Sequence, residues 1–283
     1  MTKPDAAIII PHYNDQERLN RCMAALQPQI DDGIDAIVVD NASDTPPEVM
    51  PPFRLVVEEK KGAAHARNRG VEETTANRFF FIDSDCLPDD DWVEVARRVA
   101  ARADLVGGHV YVFDETPPPR SGAEAFETVF AFDFKSYIEK QGFSGSGNLV
   151  THRGVFDKIG GFRAGVSEDY DWSHRATAAG YTLVYESALR VGHPSRRDWA
   201  ALRRKWHRVT QEAFGLNGPG LAARARWFGR ALMMPVSVVI HAPRIIRADS
   251  LAPDERKAAL VTLARQRLVR MRWMVLQALG FKI

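Results

Sequence analysis

Short strand-like runs alternate with helix-like stretches through the first third of the chain, and this alternation limits the architectures open to it. Ala6–Ile10 (AAIII) is stopped by Pro11, Ala36–Asp40 (AIVVD) ends on an acid, and Phe53–Val57 and Phe79–Asp83 follow. Runs that are apolar throughout suit strands covered on both faces. Between them lies a helix that Asn14 or Asp15 can cap, running to about Leu26 with Leu19, Met23 and Leu26 on one face. A second spans Gly62 to about Thr74 and a third Asp90–Ala103. This order predicts a parallel, doubly wound α/β sheet. Such sheets bind ligands beyond the carboxyl ends of their strands. Pro11-His12-Tyr13, Asp40 and Asp83/Asp85 all fall at those ends, so topology alone puts three polar clusters on one rim.

The richest of the three is FFFIDSDCLP, Phe79–Pro88. Two carboxylates in an Asp-x-Asp at a strand end can share one divalent cation, or divide between a cation and a sugar hydroxyl. Mg²⁺ or Mn²⁺ suits carboxylate oxygens and keeps positions open for phosphate. The plainer alternative makes Asp83 and Asp85 acidic caps of the helix that Pro88 and Asp89–Asp91 open.

Further along, Leu105–Phe113 reads as a strand and Glu115–Ala123 (ETPPPRSGA) as a proline-rich loop. Phe126, Phe130, Phe134 and Tyr137 then line one side of a single helix, as core or as an acceptor groove. Ser144–Val150 (SGSGNLV) is a small-residue turn into a short strand, where backbone can approach a ligand closely. Gly160-Gly161-Phe162 is a second tight turn. Glu168–Gly180 predicts a helix with acids at its amino end and glycine as its stop. Tyr181–Tyr185 and a segment ending before His193-Pro194 read as two strands, and Arg197–Phe214 as a long basic helix.

The net charge of +2 hides an asymmetry. Leu221–Ile283 holds 12 Lys and Arg against 3 Asp and Glu, leaving 26 against 33 for the residues before it. An acidic domain over 1–220 followed by a basic, mainly helical extension over 221–283 is therefore expected, the extension facing something anionic such as a phospholipid surface. Within it Leu260, Leu263, Leu268, Met271, Val275 and Leu279 share one side, with Arg265 and Arg272 beside them. That pattern serves a membrane interface, a homodimer partner or the chain's own domain equally well. Nucleic acid is not expected, since the tail carries no recognised binding motif. Cys22 and Cys86 make no disulfide framework and fit a reducing compartment. Met1–Ile10 is too short an apolar run for a signal peptide, and no stretch reaches the roughly 20 apolar residues of a spanning helix. The expected location is cytoplasmic, peripheral on the inner face of the cell membrane if the tail meets lipid.

These clusters, in this order, resemble the family 2 glycosyltransferases, inverting enzymes of GT-A fold (nucleotide-diphospho-sugar transferase, Rossmann-like) that use nucleotide-diphosphate sugars. The likeness runs from Ala6 to His193 through five stretches: IIIPHYND (Ile8–Asp15), VVDNASD (Val38–Asp44), KGAAHARNRG (Lys61–Gly70), FIDSDCLP (Phe81–Pro88) and SEDYDWSHR (Ser167–Arg175). It implies that Pro11, His12, Tyr13 and Asn14 hold the base and ribose, that Asp40 hydrogen-bonds the base, and that Gly62 and Asn68 lie beside the nucleotide. By the same resemblance Asp83 and Ser84 reach ribose or sugar, Asp85 holds the metal with Asp83, and His193 completes the metal shell or contacts the diphosphate. The catalytic base is Asp169 or Glu168; the family pattern favours Asp169, with Glu168 as its orienting neighbour. UDP is the usual nucleotide of that family, with dTDP or GDP as little as one side chain away. The acceptor would be a hydroxyl of a glycan or of a lipid-linked sugar. RRKW (Arg203–Trp206) only echoes the Gln-x-x-Arg-Trp of processive synthases, so transfer of one or few sugars is expected.

Competing readings fare less well. A haloacid-dehalogenase-type phosphatase keeps its Asp-x-Asp on the first strand, whereas here the pair follows the fourth and precedes Cys86-Leu87. A dinucleotide-dependent oxidoreductase would need a Gly-x-Gly-x-x-Gly that the chain lacks. A catalytically silent sugar-nucleotide-binding protein would have lost the base, and Asp169 is present. Arg196, Arg197 and Lys205 are candidates for a diphosphate or lipid-phosphate contact, and Trp172 and Trp206 for stacking on sugar, against solvated-face and core roles.

Overall fold

A computed structural model describes residues 4–283, which divide into two compact units: one built from residues up to Tyr111 together with Phe132–His193, the other from Val112–Ala131 and Pro194–Ile283. The expected boundary at 221 thus falls inside the second unit.

The first unit is built on a mixed sheet. Its strands are β1 (Ala6–His12), β2 (Ile34–Asp40), β3 (Arg54–Val57), β4 (Arg78–Ile82), β5 (Leu87–Pro88), β6 (Leu105–Phe113), β7 (Asn148–His152) and β8 (Leu183–Pro194). They lie in the order β3-β2-β1-β4-β7-β6-β8-β5. The first four are parallel, as the alternating sequence implies, but β7 runs antiparallel to both β4 and β6, and β5 antiparallel to β8. Helices α1 (Gln16–Leu26) and α3 (Trp92–Val99) cover one face, and α2 (Ala63–Glu72), α6 (Arg153–Ile159) and α7 (Glu168–Ala178) the other. Two apolar layers result, one around Ile8, Ile10, Phe80 and Trp92, the other around Ile9, Phe79, Phe81 and Trp172. Consecutive residues of β4 enter opposite layers, which is why its run is apolar throughout.

Several local expectations are corrected. β1 continues through Pro11 to His12: β4 pairs with it only as far as Ile9, so the proline's missing N–H falls where β1 has β2 alone as neighbour. Pro88 does not open a helix but belongs to β5, and α3 starts at Trp92. The two strands expected before His193 are one, β8, which includes both His193 and Pro194. The aromatic helix is two helices, α4 (Gly122–Phe130) and α5 (Phe134–Gln141). Phe132 adopts φ 57° and Asp133 caps the next turn, accepting from the Ser136 N–H. Phe126 thereby joins the core of the second unit, and Phe134 and Tyr137 that of the first. Trp172 is fully buried, its indole N–H donating to the Gly160 carbonyl.

The second unit is helical: α4 packs with α8 (Trp199–Gly215), α10 (Met234–Ile246) and α11 (Pro253–Ala278), and α9 (Leu221–Leu232) packs on α10 and α11. Leu263 is buried among α4, α8 and α10, and Met271 and Val275 pack beside Trp227 and Met274. The apolar side of α11 is thus largely spent on its own unit. Leu268 and Leu279 of that side remain exposed, and further exposed apolar surface lies on α9 and α10, at Leu221, Phe228, Leu232, Val236, Val239 and Ile240. Glu127, buried on α4, accepts from Lys205 Nζ (2.6 Å) and the Arg196 N–H (2.8 Å). Burial pushes Lys205 down to about 8 against the pull of Glu127, so these two cations serve an internal carboxylate. No helix among the described residues is long and apolar enough to cross a membrane.

Candidate active site

β2, β1 and β4 are neighbours, and His12, Asp40 and the Asp83–Asp85 loop follow or end them at the same edge. The first cluster is structural as well as polar. The Asp15 N–H donates to His12 Nε2 (3.2 Å), which assigns the ring proton to Nδ1, facing Asp40 Oδ1 at 3.4 Å. The other Asp40 oxygen accepts from the Ser43 N–H (3.4 Å), and both His12 and Asp40 are buried. Asn14, at φ 50°, ties this loop to the next through Ser43 and Asp44. Asn41 does the same for the third loop, accepting the Gly62 N–H (2.6 Å) and donating to the carbonyls of Glu58 and Lys60. Gly62 needs its φ of 133°, which side chains disfavour. Tyr13 is half exposed, its ring carrying the Lys61 ammonium at 5.1 Å and its hydroxyl accepting from it at 3.3 Å. Pro11 is partly buried behind it.

The second cluster is organised by Arg67, a residue that nothing in the KGAAHARNRG stretch singles out. Arg67 is buried on α2 and forks between two carboxylates: Nη2 donates to Asp83 Oδ1 (2.6 Å) and Nη1 to Glu168 Oε1 (2.5 Å). Burial opposes its charge, but Asp83, Glu168 and Asp169 together outweigh that and hold the guanidinium protonated. Asp83 is seated by the turn before β7, where a Cβ on Gly147 would come within 2.6 Å of its Oδ2. The small residues of SGSGNLV therefore make room for a side chain. Asp169 Oδ1 accepts the Ser146 N–H (3.1 Å). Burial pushes its carboxyl up from the ordinary aspartate range, against the Arg67 charge and the Ser146 hydrogen bond, while Glu168 and Asp83 push it further up.

Asp85 and His193 make the third cluster, Oδ2 to Nε2 at 3.4 Å, with the Phe132 ring 4.5 Å from the imidazole, centre to centre. An octahedral ion with bonds of about 2.1 Å sets adjacent ligands about 3 Å apart, so this pair fits one cation. Among the described residues no group of three His, Cys, Asp or Glu side chains encloses an ion. Asp83 is turned to Arg67, and burial pushes the thiols of Cys22 and Cys86 up and holds them protonated. Ser84 sits half-buried between the two aspartates. Asn68 does not join these groups: its amide donates to the Phe162 carbonyl and accepts the Phe162 N–H, both at 2.8 Å, pinning the Gly160–Phe162 turn.

A mixed sheet with acidic groups at the carboxyl edge of its parallel half is the framework of the GT-A glycosyltransferases. Among solved structures the chain resembles the mannosyltransferase PcManGT of Pyrobaculum calidifontis in complex with GDP-Man and Mn²⁺, with a TM-score of 0.56 and 17% identity over 99% of this chain and 74% of that one. It also resembles GalNAc-T7 with UDP, GalNAc and Mn²⁺, at 0.52 and 14% over 69% of this chain and 45% of that one. The sequence model described as glycosyl transferase family 2 matches residues 7–170, more than half of the chain, and the chain belongs to that family. Glycosyltransferase AglE of Haloferax volcanii is 29% identical across 88% of this chain and 86% of its own length. The pre-mycofactocin glycosyltransferase of Mycobacterium tuberculosis is 27% identical over 81% of this chain, which spans only 51% of that protein. The chain is a transferase enzyme of glycosyl groups.

Proposed function

We propose that the chain transfers one sugar, with inversion, from a nucleotide-diphosphate sugar to a hydroxyl of a glycan or lipid-linked acceptor. The observation that carries this is the Arg67 fork, which joins the Asp83 loop to the acidic start of α7, Glu168 lying 101 residues beyond Arg67 in the sequence. It leaves Asp169 with one oxygen engaged by Ser146 and the other uncommitted. That second oxygen is the proton acceptor for the attacking hydroxyl, and a raised pKa makes it a stronger base at neutral pH. Glu168, tied to Arg67, orients α7 rather than taking the proton. Attack opposite the leaving diphosphate in one displacement inverts the anomeric carbon. Asp85 and His193 would hold Mg²⁺ or Mn²⁺, which supplies a Lewis acid for the departing diphosphate. Asp83 and Ser84 face the ribose or sugar, and the Pro11–Asn14 loop, Asp40 and Gly62 shape the nucleotide end, where Tyr13 and Lys61 stand open to a ligand. Asn68 contributes by fixing the turn behind the site.

For the partner surface, we infer that α9 and α10 meet an anionic lipid bilayer. Their exposed apolar side chains are accompanied by Arg224, Arg226, Arg230, Arg244 and Arg247, with no acidic residue between Glu212 and Asp249.

A thermal-shift screen over UDP-, GDP- and dTDP-sugars with Mg²⁺ or Mn²⁺ tests the donor reading. A ligand at 100 times its dissociation constant adds about 2.7 kcal/mol. No shift with any of them would end it.

A further inference from the structure

The seam between α8 and α11 holds polar groups that the transfer reaction does not use. Arg265 lies over the Trp199 ring at 4.2 Å, Arg270 over Trp206 at 4.9 Å, and Trp273 meets His207 edge-on at 5.0 Å. These contacts advance together along both helices, so α8 and α11 run side by side in the same direction. At about 100° per residue, Gln266 falls within the arc of α11 bounded by Arg265 and Arg270, and so faces α8.

Gln266 is 2% exposed, and neither its amide nitrogen nor its oxygen has a hydrogen-bond partner. The indole N–H of Trp206 and the Nε atoms of Arg267 and Arg270 are likewise buried and unsatisfied. Neither arginine forms an ion pair among the described residues, and no acid follows Glu255 in the chain. Burial pushes Arg270 down to about 10, and the neighbouring charge of Arg267 adds to that. A half-buried pair of like charges beside an unsatisfied amide and indole is costly, because each group has given up water without a replacement. An anion with several acceptor oxygens would satisfy the donors among them at once, though not the Gln266 Oε1: guanidinium forks match phosphate geometry, and the indole and amide N–H groups are further donors.

We infer that Trp206, Gln266, Arg267 and Arg270 form a binding site for a phosphate group within the helical unit. The chemistry is that of a phosphomonoester or diphosphate oxygen set, whether carried by an amphiphile or free in solution.

The test follows the indole N–H resonance of Trp206 in the full-length protein, assigned by its absence in Trp206→Phe, during titration with inorganic phosphate and separately with dodecyl phosphate. A saturable shift is expected, weakened about tenfold or more in Arg270→Met, since one charge-assisted contact is worth at least that much. Arg267→Met makes the same comparison should Arg270→Met not fold. Gln266→Leu, which removes the unsatisfied amide, is expected to keep or raise the thermal midpoint without ligand. Tighter binding of dodecyl phosphate than of inorganic phosphate identifies an amphiphile; equal binding identifies a free anion, and either supports the site. No saturable shift with either probe, or unchanged affinity in both arginine variants, overturns it.

Discussion

Arg67→Met removes the group on which the acidic cluster depends while keeping an unbranched stem in the same space. Breaking a fully buried ion pair costs about 3–5 kcal/mol, and an exposed one about 0–1. The partner side chains here are 34% exposed (Asp83) and 25% exposed (Glu168). An intermediate loss of about 2–3 kcal/mol is expected once solvent screening is allowed for. At about 2–4 °C per kcal/mol for chains of comparable size, the thermal midpoint should fall by about 4–12 °C. The activity signature is separate. Arg67 is the largest influence holding Asp169 down against burial, so its removal raises that carboxyl further. The base works deprotonated, so the acid limb of the pH–rate profile should move to higher pH. Arg67→Lys keeps the charge but cannot fork to both acids, and should fall between wild type and Arg67→Met. Melting curves and pH–rate profiles of the three proteins decide it. An unmoved midpoint together with an unmoved acid limb would refute the role given to Arg67.

Asp169→Asn should lower turnover by about 10²–10⁴-fold while leaving donor binding intact. Because burial raises its folded pKa above the unfolded value, the charged form opposes folding above that pKa, an effect that disappears as pH falls. The same variant should therefore melt no lower than wild type at pH 7, and near-normal turnover would exclude Asp169 as base. Asp85→Ala and His193→Ala should each abolish the Mn²⁺ dependence of nucleotide binding in calorimetry; unchanged affinity in both rules out the pair as cation ligands. Val239→Asp combined with Ile240→Asp should prevent flotation with vesicles containing anionic lipid, and wild-type protein that fails to float ends the bilayer proposal.

Much of the first unit was legible because its strands are covered on both sides. AAIII, AIVVD and FFFID announce themselves as uninterrupted apolar runs, and the polar residues that end them mark the carboxyl edge of the parallel strands, where the proposed site lies. The acidic start of α7 was legible for the same local reason, a helix beginning after Ser167. Features set by distant contacts were not. The spacing of Phe126, Phe130, Phe134 and Tyr137 is that of one continuous helix, and only the pull of two separate cores breaks it at Phe132. β8 hides as two strands because its first half is mostly partly exposed or exposed and its second half mostly buried. Arg67 looked like one basic residue among several in KGAAHARNRG, since nothing at its own position reveals carboxylates arriving from β4 and α7. The small-residue turn at Ser144–Val150 was read as room for a ligand, and what lies close to Gly147 is the Asp83 side chain.

The polypeptide passes from one unit to the other three times, at Tyr111–Val112, Ala131–Phe132 and His193–Pro194. No single cut releases either intact. Truncation after residue 220 would strip α4 of α10 and α11, uncovering Ala125 and Phe126, which are buried against them. A shortened chain that loses activity would therefore report unfolding rather than a missing anchor. Grafting the helical unit onto a relative would mean exchanging the Val112–Ala131 insert and the C-terminal segment as a matched set.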